Sequence, residues 1–251
     1  MKSAYENISD TNTAFGNLYG SCVENGVITN YDKLYNQAMN LYDEHEELYE
    51  DGFSILRNDP ESKVGRNGMV DAIADIIVFL YGLPHFLGYK YREQDVSVGL
   101  KVVLINYEKN GEQSFYEQVL QDTKELIDDI LDVINNKNKS SVIIERVQEL
   151  DQYLQTLCDL YTIDITKLID RVTLSNMSKL CKNDQEVEET LEFYRSKGVE
   201  VYSGESPLIQ EDGTHFQVVY SSIDQTVQDK VYREDKFLKC VNWHEPVIDD
   251  I

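Results

Sequence analysis

Val70-Asp71-Ala72-Ile73-Ala74-Asp75-Ile76-Ile77-Val78-Phe79-Leu80-Tyr81 is the stretch on which the reading of this chain turns. From Met69 to Tyr89 the only carboxylates are Asp71 and Asp75. They stand four residues apart, on one face of a helix that is otherwise apolar nearly all round. A carboxylate turned toward a protein interior is costly unless it is paired or bound to a cation. Upstream lies Glu46-Glu47-Leu48-Tyr49-Glu50, an E-E-x-x-E cluster at helical spacing. Glu47 and Glu50 can face Asp71 and Asp75 from that second helix. Four carboxylates on two helices predict a site for hard divalent cations. All-oxygen ligands favour Mg²⁺, Mn²⁺ or Ca²⁺ over zinc.

The helices around this pair follow from periodicity. The first is predicted to begin near Asn30 or Asp32 and to run to about Tyr49 or Phe53. Leu34, Ala38, Leu41 and Leu48 form its inner stripe. Gly52 and Asn58-Asp59-Pro60 are read as its end, and Gly65 to Gly68 as a loop. The apolar helix is expected to begin at about Met69 and to break at Gly82, Pro84 and Gly88. The apolar stretch reads as too short to span a bilayer. Val102 to Tyr107 is β-prone and Lys109-Asn110-Gly111 is a turn signal. Two long amphipathic helices are predicted over about 115–135 and 142–161, joined by a short polar link as in an antiparallel hairpin. Asp164 is a candidate N-cap for a helix reaching about Leu180. A shorter helix is expected over about 186–197, closed by Gly198. Beyond it 199–202, 216–221 and 237–241 read as short strands between turns at Gly204 and Asp212-Gly213.

Composition narrows the function classes. Lys and Arg number 23 and Asp and Glu 46, a formal net charge of -23. That argues against broad contact with a nucleic-acid backbone or an anionic membrane surface. It leaves open a small anionic ligand held through cations, which reverse the local field. Cys22, Cys158, Cys181 and Cys240 are scattered with no C-x-x-C pair, so neither a zinc site nor a disulfide framework is indicated. The polar N-terminus lacks the apolar core of a signal peptide. Reduced thiols in the cytoplasm are expected.

Glu46-Glu47-x-x-Glu50 followed by Val70-x-x-x-Ala74-Asp75 resembles the paired metal motifs of the MazG-like nucleoside triphosphate pyrophosphohydrolases. Asp71-Ala72-Ile73-Ala74-Asp75, with Val78 to Gly82 and then Gly88, is similar to the branch related to phosphoribosyl-ATP pyrophosphohydrolase. Ile163-Asp164-Ile165 leading into Ser175-Asn176-Met177-Ser178-Lys179 resembles the S-N-M-[ST]-K segment of that branch, the most specific string here. Tyr232-Arg233-Glu234-Asp235-Lys236-Phe237-Leu238-Lys239, with Trp243 and Pro246, is similar to its ending. The familiar form has Glu where Ala72 stands, so Asp71 serves instead. It also has Gly-Lys where this chain has Asp235-Lys236.

The resemblance implies an all-α fold: a four-helix-type, MazG-like bundle as one domain over 1–251. Residues 91–160 are then a helical insertion and 183–251 a mixed C-terminal extension. It implies Mg²⁺, with Mn²⁺ able to substitute, and cleavage of an NTP or dNTP to the monophosphate and pyrophosphate. Glu47, Glu50, Asp71 and Asp75 are the expected metal ligands, with Glu46 and Glu47 catalytic. Asn176, Lys179, Lys182, Arg233, Lys236 and Lys239 are the expected contacts to phosphate or base. A homodimer or homotetramer in the cytoplasm is expected, in the host cytoplasm if phage-encoded, with no nucleic acid or membrane partner. Two alternatives stand beside this: phosphoribosyl-ATP pyrophosphohydrolase, against which the insertions weigh, and a non-catalytic nucleotide-binding or partner-docking protein.

Overall fold

The computed structural model describes residues 3–25, 27–91, 112–136, 141–248 and 251. Two compact units are formed. One comprises Met1–Ser9, Leu18–Ile169 and Ile248–Ile251; the other comprises Asp10–Asn17 and Asp170–Val247. The β-prone run Val102 to Tyr107, the turn at Lys109-Asn110-Gly111 and residues 137–140 of the hairpin link lie outside the described residues.

In chain order the helical portion holds α1 (Ala4–Ala14), a two-stranded pair β1 (Val23–Glu24) and β2 (Val27–Ile28), and α2 (Tyr31–Glu47). A π-helical turn, Leu48–Phe53, joins α2 to α3 (Ser54–Asn58). Then come α4 (Lys63–Phe86), α5 (Glu112–Asn136), α6 (Ser141–Leu160) and α7 (Ile165–Met177). In the first unit α2 packs on α4 and α5, α4 on α6, and α5 on α6. Caps define the starts. Asn30 Oδ1 accepts the Lys33 N–H at 3.0 Å to open α2, and Asp164 Oδ1 accepts the Lys167 N–H at 3.0 Å before α7.

α4 differs from its sequence reading at both ends. It begins at Lys63, capped by Ser62, so Gly65 to Gly68 form its first turns and not a loop. It runs through Gly82 and Pro84 to Phe86, and Gly88 at φ +73 terminates it, with the Tyr89 N–H on the Pro84 carbonyl. At 24 residues α4 is long and apolar enough, by length and composition, to cross a membrane. Its most apolar window is 78% buried within the protein, as befits a core helix. An acidic side chain is fully enclosed in this helical core. Asp151 of α6 is fully buried and accepts hydrogen bonds from Tyr81 Oη at 2.8 Å, Tyr91 Oη and Gln155 Nε2.

The chain is not all-α. Among the described residues seven strands pair in three sheets, so a mostly helical chain carries a β-containing C-terminal region. In the second unit α8 (Asp184–Ser196) packs on β3 (Val201–Ile209) and β4 (His215–Ser221). β7 (Phe237–Leu238) extends that sheet antiparallel, in the order β3-β4-β7. β5 (Gln225–Val227) and β6 (Lys230–Tyr232) form a separate hairpin. This unit has its own core of Cys181, Val187, Leu191, Tyr194, Val199, Val219, Tyr232, Leu238 and Cys240. Cores of that kind belong to a helix layered on a sheet, which is why the strands are more than a tail on a bundle. All four cysteines are free and buried, and the Thr190 hydroxyl lies 3.6 Å from both Cys181 Sγ and Cys240 Sγ.

Candidate metal centre

Two glycines set the approach of the elements that carry the acids. A Cβ on Gly68 would stand 2.4 Å from the Asp51 carbonyl oxygen, and one on Gly52 would stand 3.1 Å from Met69 Cα. No other residue fits such a backbone contact without a shift. The first turns of α4 therefore lie directly against the π turn, and Asp71 and Asp75 face the end of α2.

The carboxylates that meet there are offset from the predicted set. Burial, and then Asp75, Glu47, Asp71 and Asp43 in that order, push the Glu44 carboxyl up to about 8. Burial, then Asp51, Asp71 and Asp43, raise that of Glu47. Glu46 and Glu50 are absent from both sets. Glu46 instead contacts His45 Nδ1 at 3.1 Å with its side chain 46% exposed, and Glu50 is exposed. The π turn explains the offset. Its hydrogen bonds run five residues back, as from the Ser54 N–H to the Tyr49 carbonyl. The residue stacked over Glu47 is then Asp51 and not Glu50. Asp71 is exposed and Asp75 half-buried.

Glu44 is the residue that sequence reasoning missed, together with Asp43 and Asp51. Its Oε2 is buried and has no hydrogen-bond partner among the described residues. The signal was present. Leu41 and Leu48 mark the inner stripe of α2, and Glu44 falls three residues after one and four before the other. Asp43-Glu44-x-x-Glu47 repeats the acidic pattern three residues earlier than Glu46-Glu47-x-x-Glu50.

A divalent cation suits these donors: carboxylate oxygens alone, from two elements, one of them buried and unbonded. As the side chains stand, among the described residues no three His, Cys, Asp or Glu groups converge on one ion position. Ligation therefore calls for side-chain rotation, which the flexible Glu44 and Glu47 allow.

The other predicted contacts belong to the second unit. Lys179 Nζ donates to Asn176 Oδ1. The flanking serines are occupied: Ser175 Oγ donates to the His244 carbonyl at 2.8 Å, and Ser178 Oγ accepts the His244 N–H at 3.3 Å. The S-N-M-S-K segment thus fastens the chain near Trp243. Lys239 Nζ stands 3.2 Å from the centre of the Trp243 ring, and burial lowers its pKa. Lys182, Arg233 and Lys236 are exposed. Asp235, at φ +57, takes the left-handed conformation that glycine adopts without strain, and its Oδ1 accepts from Tyr202 Oη at 2.8 Å.

No family model matches the chain, and no solved structure matches it. An uncharacterized protein of Acanthamoeba polyphaga mimivirus is 32% identical over 145 residues, 51% of this chain and 55% of that protein. The chain therefore spans about half the length of the curated relative it matches.

Proposed function

We propose that the chain is a Mg²⁺-dependent nucleoside triphosphate pyrophosphohydrolase of the MazG-like kind. The observation that carries the reading is the facing of Glu44 and Glu47 against Asp71 and Asp75, with a buried, unbonded oxygen on Glu44. The order of motifs that resembles those enzymes supports it. Glu44, Glu47, Asp71 and Asp75 would hold the cation. When bound, Mg²⁺ or Mn²⁺ supplies charge neutralisation for the phosphates and polarises water for attack. Glu47 is exposed to solvent, so its second oxygen is placed to accept the proton of an attacking water. Asp43 and Asp51 keep the local field negative, which favours the cation and repels a triphosphate that arrives without one.

Pyrophosphate release, screened over the common NTPs and dNTPs with Mg²⁺, tests the reading. In ¹⁸O water the label is expected in the monophosphate. Orthophosphate as the first product would contradict it. Nucleotide binding without any release would leave the non-catalytic alternative.

A further inference from the structure

A cavity of about 730 Å³ opens in the first unit on the π turn that follows Glu47. Tyr49 and Phe53 of that turn line it, with Arg57, Asn58, Tyr116 and Tyr161. Its size falls within the roughly 300–1,000 Å³ of small-molecule sites. The rings form a cluster: Phe53 and Tyr116 have centroids 4.2 Å apart at 35°, and Tyr116 and Tyr161 stand 5.5 Å apart at 36°. A flat ring can add to the open side of such a cluster, and stacking of that kind is tolerant of which base is bound. At the rim, Asn58 Nδ2 donates to the Ser54 carbonyl at 2.8 Å, which leaves its Oδ1 to accept from an exocyclic amine. Arg57 supplies a cation there.

We propose that this cavity is the subsite for the nucleobase, which stacks against the Phe53, Tyr116 and Tyr161 cluster. The proposal deepens the pyrophosphohydrolase reading and rests on it for the choice of a nucleotide as the ligand. The base subsite itself needs no cation, and this makes the two separable.

The test is binding of free adenosine, guanosine, cytidine, uridine and thymidine without Mg²⁺, followed by ligand-observed NMR. Wild type is compared with Tyr116→Ala, Tyr116→Phe and Tyr49→Ala, each checked for an unchanged circular dichroism spectrum. At least one nucleoside should bind. Tyr116→Ala should weaken it about tenfold or more, the loss of one stacking ring, and Tyr116→Phe should retain it. Tyr49 is 50% exposed, so its truncation leaves the core intact and gives a second reading should Tyr116→Ala unfold. No binding by wild type up to about 10 mM of every nucleoside overturns the proposal. So does equal binding by the wild type, Tyr116→Ala and Tyr49→Ala. Nucleoside binding with no pyrophosphate release sinks the hydrolase reading and supports the subsite. Release with no nucleoside binding does the reverse.

Discussion

Glu44 governs how the metal-free protein should respond to pH. Its carboxyl moves from the model-compound value of 4.5 to about 8 through burial and four neighbouring carboxylates. The unfolded chain therefore gives up this proton first as pH rises. The stability due to Glu44 is complete below about 4.5 and is lost as pH climbs through 8. Asp122 works in the same direction over a lower window, from 3.8 to about 6, chiefly through burial. Thermal melts from pH 5 to 9 in chelator should thus show falling stability. Glu44→Gln should flatten the part above pH 6, and a slope unchanged in that variant would contradict the assignment. Gly68 is the second residue that decides the site. Gly68→Ala places a Cβ against the Asp51 carbonyl and should cost on the order of 1–3 kcal/mol, measured by urea unfolding. A melting curve like wild type would show that the π turn can move away. Asp71 and Asp75 were legible because charges on an apolar helix are anomalous. Glu44 obeys the same logic on α2, but the denser acidic run beside it drew the eye to Glu50.

At the scale of elements, periodicity and caps placed α2, the α5 and α6 pair, α7 and α8 close to where they stand. The π turn was not legible. Gly52 reads as a helix stop in one dimension, and only the closeness of Met69 shows why glycine is there. The glycines of α4 misled for the same reason, since a packing glycine and a turn glycine look alike in sequence. The Asp151 network links α4 to α6 and was equally hidden, because Tyr81 and Asp151 stand 70 residues apart in the chain. Tyr81→Phe should remove one donor from a fully buried carboxylate and cost about 1–3 kcal/mol. Chemical denaturation measures it. A loss under about 0.5 kcal/mol would mean that Tyr91 and Gln155 suffice.

For the whole molecule, the all-α expectation came with the family resemblance, and the seven strands among the described residues overturn it. The strands beyond Ser196 are short, and several are partly exposed, so their alternation is weak as a signal. Nothing in that alternation foretold a sheet with a covering helix and a core of its own. The net charge of -23 complicates any test with cations, since screening alone steadies an acidic protein. The decisive measurement is therefore a calorimetric titration with Mn²⁺ and Mg²⁺ at fixed ionic strength, run on wild type, Glu44→Gln and Glu50→Gln. A specific site built on Glu44, Glu47, Asp71 and Asp75 predicts saturable binding that weakens about tenfold or more in Glu44→Gln and stays near wild type in Glu50→Gln. Unsaturable binding that is alike in all three proteins, or a loss confined to Glu50→Gln, would contradict it.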